Sequence, residues 1–299
     1  MKGKLIDGVA LAQEIKNEIA SQVNDLNSNH NMIPGLAAIL VGEDPASQIY
    51  VNNKGKAASQ VGMISKVFKL PNDTSEKDLL TLIECLNNDS TFHGILVQLP
   101  LPSKINEDKC IETISPTKDV DGLHPVNVGL LVSGKPRFIS ATPAGIQQMI
   151  LRNGYSPEGK HVVICGRSNI VGKPIANLLM QRLPGSNATV TLCHSKTKDL
   201  GFFTRQADIL IAAIGQPKFV TRNMVKDGVI VIDVGINRIA APERKRGYKL
   251  VGDVDFDSVS EKAIAITPVP GGVGPMTIAM LLNNTLKAAQ LSINTNSFI

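Results

Sequence analysis

The chain has 299 residues, of which 43% are hydrophobic and 19% are charged, a composition typical of a globular protein long enough for two domains. Its longest apolar runs, 209–214 and 229–232, are only as long as strands, which excludes a bilayer-spanning segment. The formal charge of +5 indicates a lysine-rich surface or attraction of anionic small molecules, and the absence of Trp argues against nucleic-acid binding.

The N-terminus and the cysteines indicate a cytoplasmic protein. Residues 1–7 contain no long apolar segment, so we expect no secretory signal. The four cysteines, Cys85, Cys110, Cys165 and Cys193, form no Cys-x-x-Cys pair. We interpret them as reduced thiols and predict neither a disulfide nor a metal site.

Strands and helices alternate in the first half of the chain. The hydrophobic periodicity predicts helices over 7–27, 45–60 and 75–87 and strands over 36–41, 64–70 and 94–99. This order predicts βαβ units and a parallel sheet. Residues 100–140 are rich in Pro, Gly and Asp, and we expect loops there that carry functional groups.

A second α/β unit is predicted from Thr142, which would cap a helix running to residue 154. The pattern then predicts a helix over 174–183 and strands over 161–165, 189–193, 209–214, 229–233 and 263–267. Residues 241–252 are expected to form a charged hairpin or loop, residues 268–275 a Gly/Pro loop, and residues 276–291 a closing helix that packs on the first domain.

Residues 163–174 have the features of a phosphate-binding turn. They read Val-Ile-Cys-Gly-Arg-Ser-Asn-Ile-Val-Gly-Lys-Pro, a strand followed by a glycine turn and a helix start. Free backbone N–H groups and the helix dipole favour an anion at such a turn, as in dinucleotide-binding folds. The Gly-x-Gly-x-x-Gly spacing is not met, so a purely structural turn is the alternative.

The next strand indicates which dinucleotide would bind. Residues 194–196 read His-Ser-Lys, whereas a site that prefers NAD has a carboxylate at this strand end. A hydroxyl at Ser195 and a cation suit the 2′-phosphate of NADP, which Arg167 could also clamp. Ile236 could face the nicotinamide. The alternatives are a surface position for His194 and a packing role for Ile236.

A tyrosine and a lysine in the first half of the chain suggest proton-transfer chemistry. Tyr50 and Lys54 lie four residues apart on one face of a predicted helix. Short-chain dehydrogenases also have a Tyr-x-x-x-Lys pair, but there the glycine loop comes first, which excludes that assignment. A surface lysine beside a half-buried tyrosine is the alternative.

An amide and carboxylates accompany this pair. Gln98 follows a predicted buried strand, where open α/β sheets hold ligands, and the turn 118–122 reads Lys-Asp-Val-Asp-Gly. Together with Lys54, such groups could bind a heterocycle and move a proton, provided that burial lowers the pKa of the amine.

These motifs resemble those of the bifunctional methylenetetrahydrofolate dehydrogenase/methenyltetrahydrofolate cyclohydrolase family. The shared motifs are Tyr50 with Lys54, residues 98–102, 118–122 and 166–174, and the Pro-Val-Pro-Gly-Gly-Val-Gly-Pro-Met-Thr run at 268–277. The last motif is very specific, and the order and spacing agree along almost the whole chain. One departure is Leu123, where the family usually has Phe.

The resemblance implies an α/β fold with an N-terminal α/β/α catalytic domain, a C-terminal NADP-binding Rossmann-type domain and an interdomain cleft. The implied limits are 1–140 with 276–299 for the catalytic domain and 141–275 for the NADP domain. The resemblance also implies a homodimer, with the strand 189–193 as a candidate contact, and no synthetase domain of the kind found in longer relatives.

The family chemistry gives each motif a role. It implies that NADP oxidises 5,10-methylenetetrahydrofolate to the 5,10-methenyl form, which is then hydrolysed to 10-formyltetrahydrofolate. Lys54 would transfer the proton in the hydrolysis, Gln98 would tune it, Tyr50 would stack on the folate and Asp121 would hold the pterin edge. The implied substrate-binding residues also include Pro268, Gly271 and Gly272, and the implied NADP-binding residues are Gly166, Arg167, Ser168, Ser195 and Ile236.

Two other functions are considered. A dehydrogenase without cyclohydrolase activity is disfavoured because Lys54 and Gln98 are both present. A non-catalytic NADP-sensing module is disfavoured because many polar groups follow the strands of the first domain. Use of NAD instead of NADP also stays open.

Overall fold

The computed structural model describes residues 3–244 and 247–296, except for the side chains of Ala46 and residues 294–296. The strands are β1 (Lys4–Leu5), β2 (Gly35–Val41), β3 (Ile64–Leu70), β4 (Gly94–Val97), β5 (His161–Cys165), β6 (Thr189–Cys193), β7 (Ile209–Ala212), β8 (Ile230–Asp233), β9 (Asn237–Ala240), β10 (Tyr248–Val251) and β11 (Ala265–Ile266). The helices are α1 (Gly8–His30), α2 (Pro45–Gln60), α3 (Glu76–Asn88), α4 (Glu107–Thr113), α5 (Pro125–Val132), α6 (Ala141–Arg152), α7 (Gly172–Leu179), α8 (Leu200–Thr204), α9 (Phe256–Val259) and α10 (Val273–Asn296), with a 3-10 turn at Arg222–Met224.

The chain divides into two compact units. One consists of Met1–Ala12 and Thr142–Thr277 and is called the six-stranded unit. The other consists of Gln13–Ala141 and Ile278–Ile299 and is called the three-stranded unit. Each contains its own parallel sheet, as the alternation of strands and helices predicts.

The three-stranded unit has the strand order β3-β2-β4, and all its pairs are parallel. Both β2 and β4 are buried along their whole length, which explains their continuous apolar sequences. Helix α3 buries Leu79, Ile83 and Leu86 against this sheet. In α10, the Asn284 side chain donates 2.8 Å hydrogen bonds to the carbonyls of Val120 and Ile139.

The six-stranded unit has the strand order β1-β11-β8-β7-β5-β6, again with only parallel pairs. The chain passes from β5 to β6 on one side and then to β7 on the other side of β5. The order therefore reverses at the carboxyl end of β5, the position at which doubly wound sheets bind ligands. The glycine turn identified in the sequence follows this strand end.

The regular elements confirm most of the secondary-structure prediction. The bounds of α2, β3, β5 and β6 agree with it residue for residue. The region 100–140, predicted to be rich in loops, also contains the two helices α4 and α5, which were not predicted. Both helices are short, and side chains cap them: Asn106 Oδ1 accepts from Lys109 N at 3.1 Å, and His124 Nδ1 accepts from Val126 N at 3.0 Å.

Other helix bounds also differ from the prediction, including those of α7, which begins two residues before and ends four residues before the predicted helix 174–183. Thr142 does not cap α6, because the helix already begins at Ala141. Helix α10 begins at Val273, inside the predicted Gly/Pro loop 268–275. Pro275 does not prevent this start, since a first-turn residue has no intrahelical acceptor for its missing N–H.

The hairpin alternative for residues 241–252 is confirmed in outline. Strands β9 and β10 pair antiparallel, with Asn237 opposite Val251, so the hairpin begins earlier than predicted. Within the described ranges, no helix is both long enough and apolar enough to cross a membrane.

Candidate active site

Helix α2 carries the first two candidate catalytic side chains. Pro45 stands at its start, and Asp44 Oδ2 caps it by accepting from Ser47 N at 2.7 Å. Tyr50 and Lys54 follow one turn apart on the same helix face. Tyr50 is 46% exposed, whereas the Lys54 amine is buried enough for its pKa to be affected.

Gln98 meets the Lys54 amine directly after β4. Its backbone N donates to Ile39 O at 2.9 Å, which extends the sheet by one residue. Its Nε2 donates to Leu99 O at 2.7 Å, and this fixes the orientation of the amide. Its Oε1 therefore faces Lys54 Nζ and accepts a 3.1 Å hydrogen bond from it.

The turn 118–122 brings Asp121 to the same place. Ile95 N donates to Lys118 O at 2.8 Å, and Asp119 pairs in parallel with Ile95. Because the segment runs alongside β4 in the same direction, Asp121 reaches the carboxyl end of that strand. Its charge acts on the amine of Lys54.

The other charged groups of this turn are used to build it. Lys118 Nζ donates to Leu86 O at 2.9 Å and to Asp89 O at 2.7 Å, at the end of α3. The Asp119 carboxylate accepts from Leu123 N, His124 N and Asn127 Nδ2 at 3.2, 2.9 and 2.8 Å. Across the described parts of the chain, no donor forms a hydrogen bond with the Asp121 carboxylate, so it remains available for a ligand.

Burial shifts the protonation equilibria of both facing groups. Burial lowers the pKa of Lys54, and the charge of Asp121 partly opposes this effect. Burial raises the pKa of Asp121 to about 6, against the opposing charge of Lys54. The pair can therefore exchange protons closer to neutral pH than either group could in water.

The glycine turn after β5 has the geometry expected of an anion site. Gly166 has a φ of +123°, and a Cβ there would overlap the carbonyl of Ala213. Ser168 Oγ accepts from Val171 N at 3.1 Å and so shapes the start of α7. Arg167, between these two residues, is exposed and free to reach a phosphate.

The turn after β6 lies next to the glycine turn in the sheet. Gly166 N donates to Cys193 O at 2.9 Å, which ties the two strand ends together. His194 Nδ1 accepts from Lys196 N at 3.1 Å, so this ring braces the turn. Ser195 is exposed, and residues 194–198 contain no carboxylate. This donor set fits a 2′-phosphate better than it fits a free ribose diol.

A cavity of about 380 Å³ in the six-stranded unit brings together four other predicted site residues. They are Ile236, Pro268, Gly271 and Gly272. Ile236 is 51% exposed, so the packing alternative for it does not hold. Val9 and Leu250 also line the cavity and were not identified from the sequence, since they come from distant elements without a local motif.

Comparison with known proteins identifies the family. Residues 6–121 match the catalytic domain of tetrahydrofolate dehydrogenase/cyclohydrolase, and residues 140–293 match its NAD(P)-binding domain. The chain belongs to the tetrahydrofolate dehydrogenase/cyclohydrolase family. The resemblance inferred from the motifs is thus confirmed, together with the two-domain α/β fold.

Relatives of this family match over nearly their full length. The bifunctional protein FolD of Prosthecochloris aestuarii is 56% identical, covering 97% of this chain and 99% of its own. The bifunctional FolD dehydrogenase/cyclohydrolase structure from Campylobacter jejuni is 49% identical, with a TM-score of 0.91 and coverage of 97% and 99%. The Trypanosoma brucei enzyme, solved with NADP cofactor and an inhibitor, is 39% identical with a TM-score of 0.92 and coverage of 98% and 99%.

The structure thus groups the predicted residues into sets. Lys54, Gln98 and Asp121 form one group in the three-stranded unit, with Tyr50 one turn away. In the six-stranded unit, Gly166, Arg167 and Ser168 form a turn beside Ser195, and Ile236 lines the cavity with the loop that begins at Pro268. The role of each residue in this family's chemistry, and the predicted interdomain cleft, stay predictions.

Proposed function

We propose that this chain is a bifunctional enzyme of one-carbon folate metabolism. It oxidises 5,10-methylenetetrahydrofolate to the 5,10-methenyl form with NADP as hydride acceptor, and it hydrolyses that product to 10-formyltetrahydrofolate. The observation that carries this proposal is the hydrogen bond from Lys54 to Gln98 beside Asp121, in a chain that matches both domains of the family.

Lys54 is the proton-transfer group of the hydrolysis. Water adds its oxygen to the one-carbon bridge of the methenyl substrate while the neutral amine takes the released proton. The bond from the bridge carbon to N5 then breaks while the hydroxyl of the adduct becomes the formyl carbonyl. The proton held by the amine passes to N5, and the hydroxyl proton is released to solvent. Gln98 holds the amine in place, and burial keeps part of it neutral.

Asp121 and Tyr50 position the pteridine. The Asp121 carboxylate has free acceptor sites and suits the N–H donors of a pterin edge. Tyr50, on the same helix face as Lys54, offers an aromatic ring on which the heterocycle can stack. Pro268, Gly271 and Gly272 contribute an apolar wall with little side-chain volume.

The six-stranded unit holds NADP, which when bound accepts the hydride. The turn of Gly166, Arg167 and Ser168 binds the phosphates through backbone N–H groups and the guanidinium. With NADP bound, Ser195 would donate to the 2′-phosphate, and Ile236 would pack on the nicotinamide. The oxidation needs no protein acid, because the folate nitrogen stabilises the developing positive charge.

The assembly and location follow from the same proposal. We propose a cytoplasmic homodimer with a catalytic domain of residues 1–140 and 276–299 and a cofactor domain of residues 141–275. Strand β1 of the first range pairs with β11 and so belongs to the sheet of the cofactor domain. Sedimentation velocity at micromolar concentration is expected to give the mass of two chains. A single-chain mass would contradict the dimer without affecting the catalytic proposal.

A spectrophotometric assay tests the function. The purified chain is mixed with methylenetetrahydrofolate and either NADP or NAD, and the reduced cofactor and the methenyl intermediate are followed separately. We expect reduction with NADP, slower reduction with NAD, and decay of added methenyl substrate even without cofactor. NADP binding without turnover would instead support the sensing module, and reduction without faster methenyl decay would support a monofunctional dehydrogenase.

A further inference from the structure

A buried carboxylate joins three separate segments of the six-stranded unit. Asp253 follows β10 and is fully buried. Its Oδ2 accepts from Ile214 N at 2.6 Å and from Gly215 N at 2.9 Å, both just after β7. Its Oδ1 accepts from Asn237 Nδ2 at 2.9 Å, at the start of β9. The protein therefore supplies donors to both oxygens.

A second buried carboxylate completes the arrangement. Asp233, at the end of β8, is 3% exposed. Its Oδ1 accepts from Gly235 N at 3.0 Å and from Asp253 N at 2.9 Å, and its Oδ2 accepts from Val254 N at 2.9 Å. The Asp233 carboxylate thus binds the backbone of the segment that carries Asp253, whereas the Asp253 carboxylate binds the backbone after β7 and the side chain of Asn237.

Two glycines allow this close approach. A Cβ on Gly235 would overlap the Asp253 carboxylate, and a Cβ on Gly252 would overlap the Asp233 carboxylate. The two segments are therefore packed backbone against carboxylate, with no room for adjustment by side-chain rotation. Such an arrangement fixes the path of both segments rather than only linking them.

The fixed segment includes Ile236. Its neighbour Gly235 is held by Asp233, and its other neighbour Asn237 is held by Asp253. Between them the Ile236 side chain points into the cavity that the Pro268 loop also lines. We infer that Asp253 is a positioning residue for the nicotinamide end of the cofactor pocket, because its carboxylate holds the Asn237 side chain on one side of Ile236 and packs against Gly235 on the other.

This inference rests on the proposed function and adds a residue to it. Hydride transfer requires the donor carbon and the nicotinamide in close alignment, and a displacement of about 1 Å costs up to about a hundredfold in rate. Asp253 touches neither cofactor nor substrate and acts through Ile236. The hydrolysis uses Lys54 in the three-stranded unit and needs no hydride transfer, so it is an internal control.

The experiment compares both activities in Asp253→Asn, Asp253→Ala and Asn237→Ala. We expect Asp253→Ala to lower the dehydrogenase kcat by about ten- to a hundredfold, more than it raises the KM for NADP. Asp253→Asn is expected to recover part of this loss, because its amide oxygen still accepts from the backbone N–H groups. Asn237→Ala removes only one hydrogen bond, and a loss of about threefold is expected.

The matched control is Asp255→Asn, in the same Gly-Asp-Val-Asp run. Asp255 pairs with Lys218 and Ser258 at the surface and holds none of the segments that surround Ile236. We expect both activities of this variant to equal those of the wild type. Cyclohydrolase activity is expected to change by less than about twofold in all four variants, because the changes lie far from Lys54.

Two results would overturn the inference. One is a wild-type ratio of dehydrogenase to cyclohydrolase activity in folded Asp253→Asn and Asn237→Ala. The other is an equal loss of both activities, which means general destabilisation. If Asp253→Ala does not fold, the activity ratios of Asp253→Asn and Asn237→Ala test the inference. Failure of the wild-type chain to reduce NADP would contradict the proposed function itself, and so the two failures are distinguishable.

Discussion

Two regions of this protein contain carboxylates that are buried or half-buried, and they use them in opposite ways. In the six-stranded unit, Asp233 and Asp253 each accept three hydrogen bonds from the protein. In the three-stranded unit, Asp121 accepts none from the residues that the structure describes and faces the opposite charge of Lys54 and the like charge of Asp119. Satisfied carboxylates shape the backbone, whereas an unsatisfied one is free to bind a ligand and exchange a proton.

The same contrast occurs within a single turn. Asp119 and Asp121 are two residues apart, and Asp119 accepts from three donors of its own loop. The sequence shows two equivalent carboxylates, but the hydrogen bonds make one structural and leave the other for chemistry. Which acid remains available to a ligand therefore depends on donors several residues away.

The largest expected effect comes from removing the amine that faces Asp121. We expect Lys54→Met to lower cyclohydrolase activity by about a hundredfold or more while NADP reduction continues. The measurement is the decay of methenyl substrate beside the formation of reduced cofactor. Lys56→Met, on the same helix but exposed, is the matched control and should retain both activities. Loss of both activities in well-folded Lys54→Met would give the lysine a structural or binding role.

A smaller effect is expected from introducing a negative charge at Gln98, the residue that accepts a hydrogen bond from the Lys54 amine. Gln98→Glu places a carboxylate where Oε1 now accepts from Lys54 Nζ at 3.1 Å. A negative charge there raises the pKa of the amine, and each unit lowers the neutral fraction about tenfold below that pKa. We expect the pH profile of hydrolysis to move to higher pH.

The control for this shift is Gln98→Ala, which removes the acceptor without adding charge. It should lower the rate without moving the profile to higher pH. An unchanged profile in Gln98→Glu, or one moved to lower pH, would mean that the Lys54 amine is not the titrating group. The proposed proton-transfer role of the Lys54 region would then fail, and only the difference in hydrogen bonding between the two regions would remain.

Much of this comparison could be anticipated from sequence, because the relevant signals are local. The spacing of Tyr50 and Lys54, the strand before Gln98 and the glycine turn at Gly166 all depend on neighbours in the chain. The start of α2 was marked by Pro45, which a first helical turn accommodates. Local patterns therefore predicted the elements that present these candidate residues.

What could not be anticipated depends on contacts between distant segments. Asp253 bonds to Ile214, 39 residues away, and nothing in the Gly-Asp-Val-Asp run specifies that partner. The available signal was that Asp253 follows an apolar strand and a glycine. This signal does not distinguish a carboxylate that holds the backbone in place from one that binds a ligand. The position of Val9 in the cavity could not be anticipated for the same reason, because this residue is distant in sequence from the others that line it.

The smallest expected effect concerns the free energy of unfolding, which tests the difference between Asp121 and Asp233 without any measurement of activity. Burial raises the pKa of Asp121 to about 6 and that of Asp233 to about 6, while each acid in the unfolded chain titrates near 4. The folded chain therefore binds extra protons between about pH 4 and 6, and its free energy of unfolding falls as the pH rises through this window. Above it, both acids are charged in the folded state at a cost.

Replacing each acid by its amide at pH 7.5 should give opposite signs. Asp121→Asn removes a costly charge that lacks donors, and we expect the free energy of unfolding in urea to rise by about 1–3 kcal/mol. Asp233→Asn also removes a charge, but its amide N–H₂ must face a backbone N–H, either at Val254 or at Gly235. We expect a fall of about 1–3 kcal/mol, the cost of an unsatisfied buried donor. If both variants changed the free energy of unfolding in the same direction, hydrogen bonding by the protein would not be what distinguishes the two carboxylates, whatever the activities of the variants.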